Sequence, residues 1–232
     1  MIKDKRKNYY LMLDTETCNG QLIDNKLNLN DSLVYDIGVA VVDKKGNVYD
    51  KDSLVVSDIF FGYNDLMQTC YYADKLPDYF KKIKSRERKI VNVWEARDRI
   101  INLLENWECK AIVAHNAGFD YRALNTTLRY LTKSKYRYFI PKKWEWYDTL
   151  KMANDVILTM PTYRQFCQQN NFMTNHKKPR PRATAEILYR FLSSDLYFEE
   201  EHQGLDDVMI EKEIFSYCLR KHKKMRKKLF EN

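Results

Sequence analysis

Three short apolar runs in this chain each lead into acidic residues, and that pattern limits what the chain can fold into. The first, YYLMLDTET, places Asp14 and Glu16 two residues apart at the end of a β-rich stretch. Residues two apart on a strand share a face, so the carboxylates would repel one another and each would lose hydration. The nearest bases, Lys3 to Lys7, lie at the other end of the run. The second run, IVAHNAGFD, brings Asp120 to a strand-to-helix junction. The third, HQGLDD, sets His202, Asp206 and Asp207 at a helix start, with Gly204 just after the Gln. One acidic pair alone fits a solvated loop start equally well. Three such elements together would be costly unless a multivalent cation neutralised them. Hard oxygen donors without a cysteine cluster point to Mg²⁺ or Mn²⁺ rather than structural zinc.

The order of elements bounds the fold. Apolar β-rich runs come first (9–13, 33–42 and 48–61 with breaks), and the turn KKGN at 44–47 reads as a hairpin connection. A helical pattern follows in NVWEARDRIINLLENW, then a short strand at 111–114 and a helix through 119–131 with Leu124, Leu128 and Leu131 on one stripe. Further helices are expected at about 148–157, 162–170, 183–193 and from about 204 into the C-terminal run. Strands first, then alternating strand and helix, predict an α/β protein with a mixed sheet and helices on both faces. Residues 62–92 read as a surface excursion.

At 232 residues, 44% hydrophobic and 31% charged, the chain suits one substantial core. The expected organisation is a single domain over 1–219 and a basic helical tail over 220–232. That tail holds +6 of the net +8, leaving +2 for the first 219 residues. Basic tails serve polyanions, and equally often are solvated helix ends. Five scattered cysteines without a CxxC pair argue against a zinc site or a disulfide framework, and Cys18 reads as a small filler. No apolar run approaches a membrane span, and the charged N-terminus lacks a signal-peptide core. A cytoplasmic location is expected, with no membrane partner.

Taken together, LDTET, AHNAGFD and HQGLDD, with the DTL of Asp148-Thr149-Leu150 between the last two, resemble the DEDDh branch of the DnaQ-like 3′→5′ exonucleases. The resemblance runs from about Tyr9 to Phe215. It implies a ribonuclease H-like fold with a largely five-stranded sheet. It also implies that Asp14, Glu16, Asp120 and Asp207 bind two divalent metal ions, with His202 as general base. Helical i,i+4 spacing would pair His202 with Asp206, but Gly204 suggests that His202 precedes the helix. The family spacing of five selects Asp207. The tyrosine-type sister branch would need its base at position 203, which is Gln203.

The same resemblance suggests Thr15, Asn116 and Phe119 as contacts to the terminal nucleotide, and supports Thr17 less. Each has a plainer reading: Asn116 as a helix cap, Phe119 as core. His115 and Asp148 read as structural, His176 and His222 as exposed, and the basic loop at 177–182 as phosphate contact or solvated loop. The function so implied is hydrolysis of single-stranded DNA or RNA from the 3′ end, releasing nucleoside 5′-monophosphates. A proofreading role would require a separate polymerase or replication partner. The alternatives are a phosphodiesterase for short oligonucleotides or signalling nucleotides and, from another class, a non-catalytic nucleic-acid-binding module.

Overall fold

The computed structural model describes residues 3–19, 22–23, 26–27, 32–68, 70 and 73–230. Strand β1 (Tyr9–Asn19) lies inside a six-stranded sheet, while β2 (Leu22–Ile23) and β3 (Lys26–Leu27) pair only with each other. On one side of β1 come β4 (Ser32–Asp43), β5 (Val48–Val56) and the edge strand β6 (Lys89–Val91). On the other come β7 (Ala111–Ala114) and β8 (Glu145–Asp148). The β1–β4 and β4–β5 pairs are antiparallel, and the β5–β6, β1–β7 and β7–β8 pairs are parallel. The sheet is mixed, as the sequence predicts, but has six strands rather than five because β6 extends the β5 edge. The 44–47 turn closes the β4–β5 hairpin. Asp43 accepts from the Lys45 amide at 2.8 Å, and Gly46 takes φ +85°, where a Cβ is disfavoured.

The first acidic pair does not end its strand. Twelve-residue β4 pairs with β1 as far as Asn19, so Asp14 and Glu16 lie mid-strand. Between Glu16 and Thr17 the register slips and leaves Tyr35 unmatched, and the Val34 amide donates to the Thr127 hydroxyl at 2.8 Å. Such bulges twist a strand and re-aim its side chains.

The stretch 62–92 is not the surface excursion expected of it. After α1 (Ser57–Phe60), its described residues form α2 (Asn64–Gln68), a 3-10 turn (Ala73–Lys75) and α3 (Leu76–Lys84) before β6. Met67, Cys70 and Tyr79 are buried, and Tyr79 is fully so. Next come α4 (Val93–Asn106), whose Asn92 and Glu95 make a reciprocal capping box, and α5 (Gly118–Leu131). These helices cover the face that receives Leu11 and Leu13. Met12 points to the opposite face, beneath α6 (Thr149–Val156), α7 (Pro161–Gln169), α8 (Ala185–Ser193) and α9 (Gly204–Arg220). Helices therefore cover both faces of the sheet. Among the described residues, no helix is long and apolar enough to cross a membrane.

The basic run does not continue α9, so the expected helical tail is not what forms. Past Arg220 the chain turns back along the free edge of β8. The Asp148 amide donates to the Lys227 carbonyl and the Leu229 amide to the Trp146 carbonyl, both at 2.8 Å. Arg226 forks onto Asp155 at 2.7 and 3.0 Å, and the Phe230 ring meets Tyr121 at 5.0 Å. An otherwise open edge is a strong drive for such pairing. Ending the chain after Lys221 should lower the melting temperature by roughly 5 °C, from about 2 kcal/mol of lost edge bonding. A circular-dichroism melt with an unchanged midpoint would contradict this role.

Candidate active site

Alternation along β1 turns Asp14 and Glu16 towards the face covered by α9, whose first turn carries Asp207. Carboxylate oxygens of these three residues lie within 4.8 Å of one another. Backbone contact makes this approach possible: a Cβ on Gly38 of β4 would lie 2.0 Å from the Gly204 carbonyl carbon, and one on Gly204 would lie 2.6 Å from the Gly38 nitrogen. Asp120 arrives from the opposite face, in the first turn of α5, and its Oδ1 accepts from the Thr15 hydroxyl at 2.8 Å. It stands outside the tight group of three but lines the same open cleft, of about 930 Å³.

Two further acids line the cleft that the motifs do not reveal, Glu211 and Glu200. Glu211 lies one turn beyond Asp207 on the buried stripe of α9 and is 3% exposed. Its Oε2 accepts from the His115 amide at 3.2 Å. An acid four residues after Asp207, among Val208, Ile210 and Ile214, is the periodic signal that could have found it. Glu200 has no comparable signal, since it belongs to an acidic run, FEEEH.

Burial dominates the electrostatics and mutual repulsion adds to it. The Glu16 carboxyl is pushed up to about 8, with Asp36 adding to burial, and Asp207 to about 9, with Glu200 adding. Asp120 rises to about 7 although its bond from Thr15 pulls it down. Asp14 and Glu211 rise well above the usual carboxylate range, and the charges acting on Asp14 besides burial are all carboxylates: Glu211, Asp120, Glu16 and Asp207. Converging hard oxygen donors with uncompensated charge fit a divalent cation such as Mg²⁺ or Mn²⁺.

His202 lines the cleft from the loop before α9, with φ +52° and Nδ1 3.9 Å from Glu200 Oε2. Burial pushes its imidazole down, against the pull of Glu186. Asp206, next to Asp207, turns outward; its side chain is 45% exposed and pairs with Lys82 at 3.4 Å. Thr15, Asn116 and Phe119 all line the cleft, but the Thr15 hydroxyl is committed to Asp120. Asn116 has φ +58° and does not cap α5 with its side chain. Asp148 caps α6, accepting from Leu150 N at 2.9 Å, and also holds the Asn116 amide at 3.1 Å.

His115 also lines the cleft but serves as a brace. Its Nε2 lies 2.8 Å from the Ala183 carbonyl and its Nδ1 2.9 Å from the Thr149 hydroxyl. A carbonyl only accepts, so Nε2 carries the proton and Nδ1 accepts from Thr149. Burial lowers its pKa and favours this neutral form. The brace fixes the loop that brings Arg182, alone of the basic residues at 177–182, to the cleft. His176 and His222 are exposed. All five cysteines are buried and none forms a disulfide, and burial pushes the Cys18 thiol up to about 12.

No family model matches the chain, and no curated protein matches it. Several solved structures have a similar backbone course. Exonuclease X in complex with 5′ overhanging duplex DNA is 14% identical, with 92% of each chain covered and a TM-score of 0.42. Pop2p of S. pombe in its Mg²⁺- and Mn²⁺-bound form is 14% identical, covering 94% of this chain and 85% of that one, with a TM-score of 0.47. Cell-death related nuclease 4 is 9% identical, covering 94% and 66%, also at 0.47. By its own strand order and directions, with helices on both faces, the chain has a ribonuclease H-like architecture.

Proposed function

We propose that the chain is a metal-dependent 3′→5′ exonuclease that hydrolyses single-stranded DNA or RNA and releases nucleoside 5′-monophosphates. The observation that carries this reading is the convergence of Asp14, Glu16 and Asp207 in an open cleft that also holds Asp120, His202 and Arg182. Asp14, Glu16, Asp120 and Asp207 would hold two divalent ions. Such ions supply a water of lowered pKa and charge stabilisation at the leaving 3′-oxygen.

The chain's own residues do the rest. His202 is neutral near pH 7 and accepts the proton of the attacking water. Glu200, facing Nδ1, stabilises the imidazolium that results. The Thr15 hydroxyl fixes the rotamer of Asp120. Phe119 offers a ring to the terminal base, Asn116 an amide to its sugar, and Arg182 a guanidinium to a phosphate. An open cleft suits the end of a strand better than it suits a closed pocket for dinucleotides. A simple binding module has no use for clustered carboxylates where phosphates must sit.

Polarity is the direct test. With Mg²⁺, a 5′-labelled single strand should shorten as a ladder, and a 3′-phosphorylated strand should resist. Cutting of a circular single strand would show an endonuclease and overturn the proposal.

A further inference from the structure

The stretch from α3 to Arg88 does not line the cleft, yet it grips the residue next to His202. Gln203 is 1% exposed, and its Oε1 accepts from Arg88 Nη2 and from Lys82 Nζ, both at 2.7 Å. Its Nε2 donates to Asp78 Oδ2 at 2.9 Å. The other arm of the Arg88 guanidinium meets Asp36 Oδ1 at 2.6 Å, and its Cζ lies 4.2 Å from the centre of the Tyr79 ring. Asp36 Oδ2 accepts from the Tyr79 hydroxyl at 2.7 Å and from the Gly204 amide at 3.1 Å. Asp36 thus satisfies one of the amides that the first turn of α9 leaves unbonded. A charged pair is rarely so fully buried, and here Arg88 holds the Gln203 side chain while Asp36 holds the Gly204 amide.

We infer that Arg88 and Gln203, anchored on Asp36, are positioning residues that set the place of the His202 imidazole. His202 sits one residue before this anchor in a left-handed conformation (φ +52°) that a non-glycine side chain adopts reluctantly. With Gln203 fixed, the strained turn has one outcome; with Gln203 loose, it relaxes. Asp207 is less dependent, because Val208, Ile210 and Ile214 anchor its turn in the core. The latch therefore acts on turnover and not on metal affinity. This inference rests on the exonuclease reading of the cleft.

The test is Gln203→Leu in the full chain, with Lys82→Met as a milder variant that leaves the buried pair intact. Displacing a catalytic group by about 1 Å costs up to ~10²-fold, so kcat of Gln203→Leu should fall about 10–100-fold, and that of Lys82→Met less. KM for the strand and calorimetric Mn²⁺ affinity should stay within about threefold. In a His202→Ala background the same change should cost no more than about twofold, since coupled residues do not add. Pairing Gln203→Glu with Asp78→Asn reverses one contact, keeps the acceptor for Arg88 and Lys82, and should restore kcat. An unchanged kcat in both variants, or an equal loss with and without His202, would overturn the latch. If the unmodified protein cleaves no strand, the exonuclease reading fails by itself. The latch is then decided by the imidazole NMR resonances of His202, which must move in Gln203→Leu.

Discussion

Asp14→Ala should abolish turnover, by at least about 10³-fold, because it removes a carboxylate shared by the converging group of three. Chelator should do the same to the unmodified protein, and Mg²⁺ or Mn²⁺ should reverse it. Full activity in chelator would remove the metal-dependent reading. The same cluster has a thermodynamic signature. Glu16, Asp120 and Asp207 have folded-state pKa values of about 8, 7 and 9, against ordinary values of 4.5, 3.8 and 3.8. Between those limits the folded, metal-free protein binds more protons than the unfolded chain. The stability these groups contribute is complete below about pH 4 and is lost as pH rises through 7 to 9. The melting temperature of the chelated protein should therefore fall from pH 6 to pH 9. Added Mg²⁺ should cancel most of that fall by binding the ionised, folded form, and Asp14→Ala should shrink it. A flat profile in chelator would mean that the acids are not confined together.

The second large effect separates three neighbours. His202→Ala should cut turnover by about 10²–10⁴-fold, the usual contribution of a general base, while leaving calorimetric metal affinity near its original value. Asp207→Ala should lose both turnover and metal affinity. Asp206→Ala should do little, because that side chain points outward to Lys82 in a partly exposed pair, worth about 1 kcal/mol. If Asp206→Ala were the inactive variant, the assignment of roles between the two aspartates would be reversed.

Much of the site was legible because its chemistry is local in sequence. Asp14 and Glu16 share a motif, Asp120 follows a strand, and Asp207 opens a helix, so short local patterns bring each into view, although the choice of Asp207 over Asp206 comes from the family resemblance and not from helical spacing. What escaped depends on partners distant in sequence. Asp36 is an acid inside the apolar run of β4, and the groups that account for it, on Tyr79, Arg88 and Gly204, all lie far along the chain. Tyr79 and Arg88 belong to a lysine-rich stretch whose composition looks solvated, since a single buried face leaves little periodic trace. The tail misled for a related reason. Its charge pattern suits a helix end, but the open edge of β8 offers it backbone bonds that a solvated helix end could not match. β1 outran its expected end because its length follows that of β4, not its own hydrophobicity.

The backbone contact between Gly38 and Gly204 bears on how this protein would behave in a saturation library. A Cβ at either position meets main-chain atoms at 2.0 or 2.6 Å, and main chain cannot rotate away as a side chain does. A selection that scores only activity will therefore reject nearly every substitution at these two positions. Their profiles will match that of Asp14, although neither glycine carries a functional group. Scoring abundance beside activity separates the two classes. Asp14 variants should accumulate as intact but silent protein, whereas Gly38 and Gly204 variants should be depleted from the pool of folded molecules.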